Sequence, residues 1–508
     1  MRPTTLPIAQ GFYVSDSQPL SSQRCVNFQP SVPQTSTITD ANLFPTPGLV
    51  ELIQLDINNP CRGAHVMAGV PYFVVNGILY ELQRSVDSEG NETFTKVIKG
   101  GIQGSSRVSM ADNGTELCIV APPDDDTEGR SYIYNRNTGG TSQITDANFD
   151  GPAQSVVFVD GFFVFQKANG KKFFNSPINN GVGPYDPLDF SSANVDPDEI
   201  KGQAVYRNLL HIFGSETIEI FRNIGRTPAP FQRVSGGVIQ IGLFAPQSLQ
   251  NYDDSLVFVG GSVNDSPGVY RISGSSKQKI STLAIDNELS DLTPEQIENL
   301  FSWTYSESGA FFYALTLPKT TFVYDSVNGR WHERQSTFQG SDVGYRVSHA
   351  VAAYGRILVG DRFDGRVGEI KEDVFTEYDF LVERFITTRP FDALGNNVFV
   401  GNMEAVCESG VGLLNDIDVL GDKRPDGSDV VLKAGKDPKI TLSYSDDGGK
   451  TFKARSSRGL GLMGEYQRRQ IWRRRGKFSR SRVIRLEISA PVKAVIIKLE
   501  ATIQQGRR

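Results

Sequence analysis

Apolar and polar positions alternate along most of this chain in short runs, and the runs come in pairs. "PYFVVNGILYEL" from Pro71 and "QSVVFVDGFFVFQ" from Gln154 show the unit: an apolar strand, a turn with Gly, Asn or Asp, then a second aromatic-rich strand. Five further copies begin at Glu116, Gln203, Ser255, Ala310 and Ala350. Their spacing of about 40 to 55 residues fits one four-stranded blade per repeat. Hairpins of an ordinary sandwich would recur about every 8–12 residues without the longer period. The pattern therefore predicts an all-β chain built on a β-propeller of six or seven blades.

One segment departs from strand periodicity. In "LTPEQIENLF", Thr293 stands as N-cap, Pro294 at the first helical position and Gln296 at the third, which predicts a short helix over about 293–302. The repeat ends near Tyr378, and a polar stretch around Asp416–Asp437 leads to strands at "KITLSYSD", "RVIRLEI" and "KAVIIKLEATI". In the last, Val495, Ile497, Leu499, Ala501 and Ile503 share one face. The pattern predicts a propeller over 41–377 and a second, antiparallel β domain over 378–508.

Composition agrees with this class. The chain has 508 residues, more than one core usually serves, and its 50 glycines and 31 phenylalanines suit a turn-rich β protein. No apolar run approaches the roughly 18 residues of a membrane span, and the polar start predicts a soluble chain without a secretory signal. Cys25, Cys61, Cys118 and Cys407 lack CxxC spacing, which predicts four buried free thiols. The net charge of −6 hides an asymmetry: residues 380–508 hold 24 Lys and Arg against 15 Asp and Glu, a net +9, which leaves −15 for residues 1–379.

Motifs for chemistry are weak. "SDDGGKTF" places Ser445, Asp447, Gly449, Thr451 and Phe452 at the spacing of the Asp-box, a hairpin turn of sialidase-like propellers whose role is structural. Its Gly-Lys-Thr is not a phosphate-binding loop, because Tyr444 stands where that motif requires glycine. "GLGLMG" meets a G-x-G-x-x-G spacing but is not followed by an apolar helix. His65, His211, His332 and His349 lie far apart, and the acidic stretches "PPDDDTEG" and "DPLDFSSANVDPDE" lack the calcium-loop pattern. No catalytic residue, metal ligand or cofactor is expected, and the chain is not read as an enzyme.

The densest signal is "QRRQIWRRRGKFSRSRVIRLEI" from Gln467. Arg468, Arg469, Arg473, Arg474, Arg475, Lys477, Arg480, Arg482 and Arg485 occur there with no acidic residue among them. Ile484, Leu486 and Ile488 alternate as a half-buried strand, and Gly476 among the arginines predicts a hairpin turn whose cations face water, an acidic partner or phosphate. Trp472 and Phe478 fit core anchors of that hairpin better than base-stacking platforms.

The order of segments resembles the packaged-DNA stabilisation proteins, or tail accessory factors (tail hub or nozzle), of short-tailed bacteriophages. "LPIAQGFYVSDSQPLSSQRCVNFQP" looks like that family's N-terminal arm (1–40 here), "LSDLTPEQIENLFSWTYSESGAFFYALTLPK" like its helix-plus-blade segment, and "IWRRRGKFSRSRVIRLEISAPVKAVIIKLEATI" like its C-terminal strands. The resemblance implies a structural virion protein, made in the host cytoplasm, that forms a ring, six-fold by expectation, below the portal and adaptor rings. It further implies closure of the filled head, stabilisation of packaged DNA, docking of the tail needle and tailspikes or fibres, and non-specific contact with double-stranded DNA in the lumen. A sialidase-like or carbohydrate-binding propeller is the alternative reading.

Overall fold

The computed structural model describes residues 3–506 except 125–126, 194–198, 263–265, 394 and 424–428. Parts of both acidic stretches and of the polar insertion thus lie outside the described residues. Seven blades stand in a ring among the described residues. Blade 1 runs over residues 61–101, blade 2 over 109–143, blade 3 over 153–192, blade 4 over 200–239 and blade 5 over 242–279. Blade 6 comprises Phe301–Glu307, Ala310–Thr316, Thr321–Asp325 and Trp331–Phe338; blade 7 has Val347–Ala353, Arg356–Asp361 and Gly365–Lys371. Each of the seven units read from the sequence falls in a different blade. Alternation within a strand and the tight turn after it build each blade, and apolar faces of adjacent blades pack to give clusters such as Trp303, Tyr345 and Val359 between blades 6 and 7.

The ring closes with a strand from the N-terminal side. Gly48–Asp56 pairs antiparallel with Gly365–Lys371 as the outer strand of blade 7. The innermost strand of that blade packs beside Cys61–Met67 of blade 1. Closure therefore joins two segments about 310 residues apart in sequence, so the propeller cannot open without breaking that ladder.

Two expectations need correction. Residues 3–40 do not stand apart as the expected N-terminal arm. Pro3–Leu6 pairs with Ile496–Gly506, Phe28–Ser31 pairs with Asn42–Pro45, and Ser22–Val26 lies between blade 6 and Phe385–Thr387. These segments carry Leu6, Ile8, Cys25 and Phe28 into the sandwich core, where they are buried. The sandwich is thus made from both ends of the chain. The helix is also shorter than expected: it spans Pro294–Glu298, with Thr293 and Gln296 making the expected reciprocal capping bonds. Leu300 turns into the core and Phe301 begins blade 6. A second helix, Leu283–Ser290, precedes it and buries Ala284, Ile285 and Leu289. All four cysteines are buried and unpaired, and among the described residues no helix is long and apolar enough to cross a membrane.

Propeller and sandwich share sheets. The outer strand of blade 6 continues through Ser22–Val26 and Phe385–Thr387 to Ser481–Glu487, Lys439–Ser445 and Lys453–Gly459; blade 7 continues through Thr376–Glu377 to Ile417–Lys423 and Asp429–Ala434. Buried Asn27 holds the joint: its Nδ2 donates to the carbonyls of Gln335 (3.0 Å) and Glu383 (2.8 Å), and its Oδ1 accepts from the Gln335 amide. Its φ of +54° lies where Asn is among the few tolerated residues. Arg24 forks onto buried Glu333 beside it, with contacts of 2.5 and 3.1 Å.

Blade 6 also buries His332, whose ring nitrogens have no hydrogen-bond partner among the described residues. Burial, with the Arg334 cation adding to it, pushes its pKa down to about 3. The folded chain then binds fewer protons here than the unfolded chain, so this contribution is complete above about pH 6.5 and is lost as pH falls toward 3. Between pH 7 and 5 the wild type should lose about 2 kcal/mol more than His332→Leu, read as the difference in urea midpoints; equal losses would contradict it. Glu307 has the opposite sign, because burial raises its carboxyl to about 7, so its contribution fades as pH rises through neutrality.

Candidate functional site

The basic stretch does not fold as a hairpin around Gly476. Gln470–Arg473 and Lys477–Phe478 both pair with Asn397–Cys407, one after the other along the same edge. Residues 474–476 bulge between them: Arg474 has φ +56° and Gly476 φ +75°, while the Arg474 and Arg475 amides still donate to the carbonyls of Gly401 and Val400. After Phe478 the chain crosses to the other sheet, where Ser481–Glu487 is an interior strand. The reason lies in the flanking apolar residues. Trp472, Phe478 and Ile484 all enter one core, and a two-residue turn at Gly476 could not aim the first two into it from one continuous edge.

This arrangement sorts the nine cations by role. Arg482 is buried, forks onto Asp446 (2.7 and 3.1 Å), and donates to the carbonyls of Arg475 (2.6 Å) and Lys477 (3.0 Å). It lies between the rings of Tyr444 (3.9 Å) and Phe478 (4.9 Å), so it clamps the bulge from inside. Burial alone would raise Asp446, but the bonds from Arg482 and Lys453 hold it below the usual carboxylate range. Arg485 is half-buried over Phe385 and pairs with Glu383 and Glu487. Arg469 forks onto Glu404 at 2.5 and 2.7 Å, and Arg468 lies 3.9 Å from Glu465. Arg475 points partly inward, where burial first and Arg458 second lower its pKa.

Four cations remain. Arg473, Arg474, Lys477 and Arg480 are exposed and make no ion pair among the described residues. Arg473 pairs across the ladder with Asn402 and Lys477 with Phe399, so both project from the outer face of the sheet. Sequence reading missed Asp446 and Glu404, the carboxylates that decide which cations are free. Asp446 could have been flagged as the second acidic residue of the "SDDGG" turn.

That turn joins Lys439–Ser445 to Lys453–Gly459. Asp447 accepts from the Lys450 and Thr451 amides, and Ser445 Oγ accepts from the Gly449 amide. Bonds from the hydroxyls of Ser445 and Thr451, then backbone amides, hold the Asp447 carboxyl well below its usual range. Gly449, at φ +97°, packs against the N-terminal segment, where a Cβ would meet Ser22 Oγ at 2.7 Å. Phe452 is half-buried, with Arg485 over its ring at 5.6 Å. The turn thus packs against Pro19 and Ser22 of the N-terminal segment.

The mouth of the propeller forms a cavity of about 830 Å³, lined among others by Tyr206, Arg207, Asp254, Thr304 and Arg356. Its arginines are committed, Arg207 to Asp254 and Arg356 to Glu92 and Glu369. A substrate carboxylate meets no free arginine among these described lining residues. Among the described residues no group of three or more His, Cys, Asp or Glu is placed to hold a metal ion.

Two family models match in chain order. The bacteriophage P22 Gp10 β-propeller matches residues 4–375, and the bacteriophage P22 Gp10 β-sandwich matches residues 385–504. The tail hub protein gp10 of Salmonella phage P22 is 24% identical over 381 residues, covering 72% of this chain and 75% of that protein. Among solved structures, the designed Ika8 protein is 12% identical at TM-score 0.35, covering 63% of this chain and 100% of its own. The extracellular domain of a one-component system of B. thetaiotaomicron is 9% identical at TM-score 0.41, covering 82% of this chain and 47% of its own.

Proposed function

This chain belongs to the bacteriophage P22 Gp10 family and is a structural protein of the phage tail, and from that premise we propose that copies of it form a ring beneath the portal and adaptor. The ring is six-fold, closes the filled head, stabilises the packaged DNA and docks the tail needle and tailspikes or fibres. The observation that carries this reading is the pair of family matches, which run in order over nearly the whole chain. Physical features support it. Sheets shared between propeller and sandwich make one stiff body, and a ring of such bodies multiplies each modest contact by its copy number. The net charges of −15 and +9 in the two parts give each copy surfaces of opposite sign with which to meet unlike neighbours.

A complementation experiment tests the closure role. Heads filled by a phage that encodes this chain, but assembled without it, should lose their DNA, and adding the purified chain should retain it, read by uptake of a DNA-binding dye. Heads that stay filled without the chain would contradict the proposal.

A further inference from the structure

We propose that the bulged edge of the sandwich and the crossover that follows it are a binding surface for the phosphate backbone of double-stranded DNA, engaged by Arg473, Arg474 and Lys477 on the edge and Arg480 on the crossover. Three observations lead there. These four side chains are exposed and unpaired among the described residues, although their neighbours Arg469, Arg482 and Arg485 each have a carboxylate. The backbone of the bulge that carries Arg474 and Lys477 is held in shape from beneath, since Arg482 binds the carbonyls on both sides of Gly476, where Arg474 takes a positive φ that arginine seldom adopts. The loop that presents these cations is therefore pre-formed, and less backbone ordering is lost on binding.

The third observation selects the ligand. Protein interfaces are anchored by buried aromatic and apolar side chains, whereas Trp472 and Phe478 of this edge are turned inward, 0% and 7% exposed. Phe399, beside Lys477, is half-exposed and lies against Gly506. With both aromatics of the stretch in the core, the half-exposed Phe399 ring is left as a single platform, short of the succession of rings on which unstacked bases of a single strand are held. Three exposed arginine forks and a lysine, with Trp472 and Phe478 withdrawn into the core, match phosphate oxygens better than an apolar protein surface. Such contacts position DNA without reading its sequence. The inference rests on the tail-protein reading for where the duplex is met.

Binding of the full chain to a random-sequence 30-base-pair duplex, followed by fluorescence anisotropy across salt concentrations, tests it apart from ring assembly. Four phosphate contacts give a log–log salt slope of about −3.6, so affinity should fall about 150-fold between 50 and 200 mM salt. Arg473→Gln, Arg474→Asn, Lys477→Gln and Arg480→Gln together should abolish binding at 200 mM while leaving the thermal unfolding midpoint in place. Each alone should reduce the slope by about 0.9, and Arg469→Gln, whose cation is committed to Glu404, should not. Unchanged binding in the quadruple variant would overturn the proposal. Binding to polyglutamate but not to the duplex would overturn it in favour of an acidic protein partner. Binding to neither would leave the cations as guards against edge-to-edge sheet pairing, which also overturns it.

Discussion

Removal of residues 1–31 should leave a chain whose sandwich does not fold, although every strand of blades 1 to 7 is retained. The deletion takes Pro3–Leu6 from Ile496–Gly506, Phe28–Ser31 from Asn42–Pro45, and the strand that bridges blade 6 to Phe385–Thr387. It also strips Leu6, Ile8, Cys25 and Phe28 from the sandwich core and Phe12 from the cluster beneath helix Leu283–Ser290. At about 1.5–3 kcal/mol for each large buried side chain, the loss approaches 10 kcal/mol, comparable with the whole stability of a typical domain. Asn27 goes too, leaving the Gln335 amide without its acceptor. Limited proteolysis should then cut within residues 385–506 while the propeller resists. Equal resistance of both parts would show that the N-terminal strands are dispensable.

Arg482→Ala should be the most damaging single substitution in the basic stretch. It leaves Asp446 without its fork and the carbonyls of Arg475 and Lys477 without their donor, inside a site where the arginine side chain is 2% exposed. Breaking a buried pair costs about 3–5 kcal/mol; Lys453 remains 3.0 Å from Asp446 and that carboxylate is partly exposed, so about 2–4 kcal/mol is expected. Arg482→Lys should recover part of this, since one ammonium cannot reach the carboxylate and both carbonyls in a fork. Arg469→Ala, which breaks an exposed pair, should cost less than about 1 kcal/mol. Urea unfolding of the three variants checks the order, and equal costs for Arg482→Ala and Arg469→Ala would contradict it.

The repeat was legible because its signal is local. Alternation in "QSVVFVDGFFVFQ" and the turn within it build a blade hairpin from adjacent residues, and Thr293, Pro294 and Gln296 cap their helix over four positions. What the sequence hid is long-range. Gly48–Asp56 reaches blade 7 across about 310 residues, and nothing in "GLVELIQLD" marks its partner. The N-terminal strands look like a polar arm because their apolar residues are few and far apart, and only the sandwich from the other end of the chain gathers them.

The basic stretch shows the same divide. Alternation at Ile484, Leu486 and Ile488 marked a strand and all three are buried, but the strand is not half-buried as expected, because Arg482, Val483 and Glu487 are covered as well. Which arginines are free depends on Glu404, Asp446 and Glu383, lying 65, 36 and 102 residues from their partners. Gly476 signals positive φ equally well in a turn and in a bulge, and the choice was made by Trp472 and Phe478 sharing a core.

The proposed tail role requires this propeller–sandwich body to assemble as a ring. Native mass spectrometry of the purified chain, alone and mixed with portal–adaptor rings from a short-tailed phage that encodes it, tests this most directly. Six copies bound per portal–adaptor ring is the predicted result; no association with those rings, whatever the free chain's oligomeric state, would contradict the account.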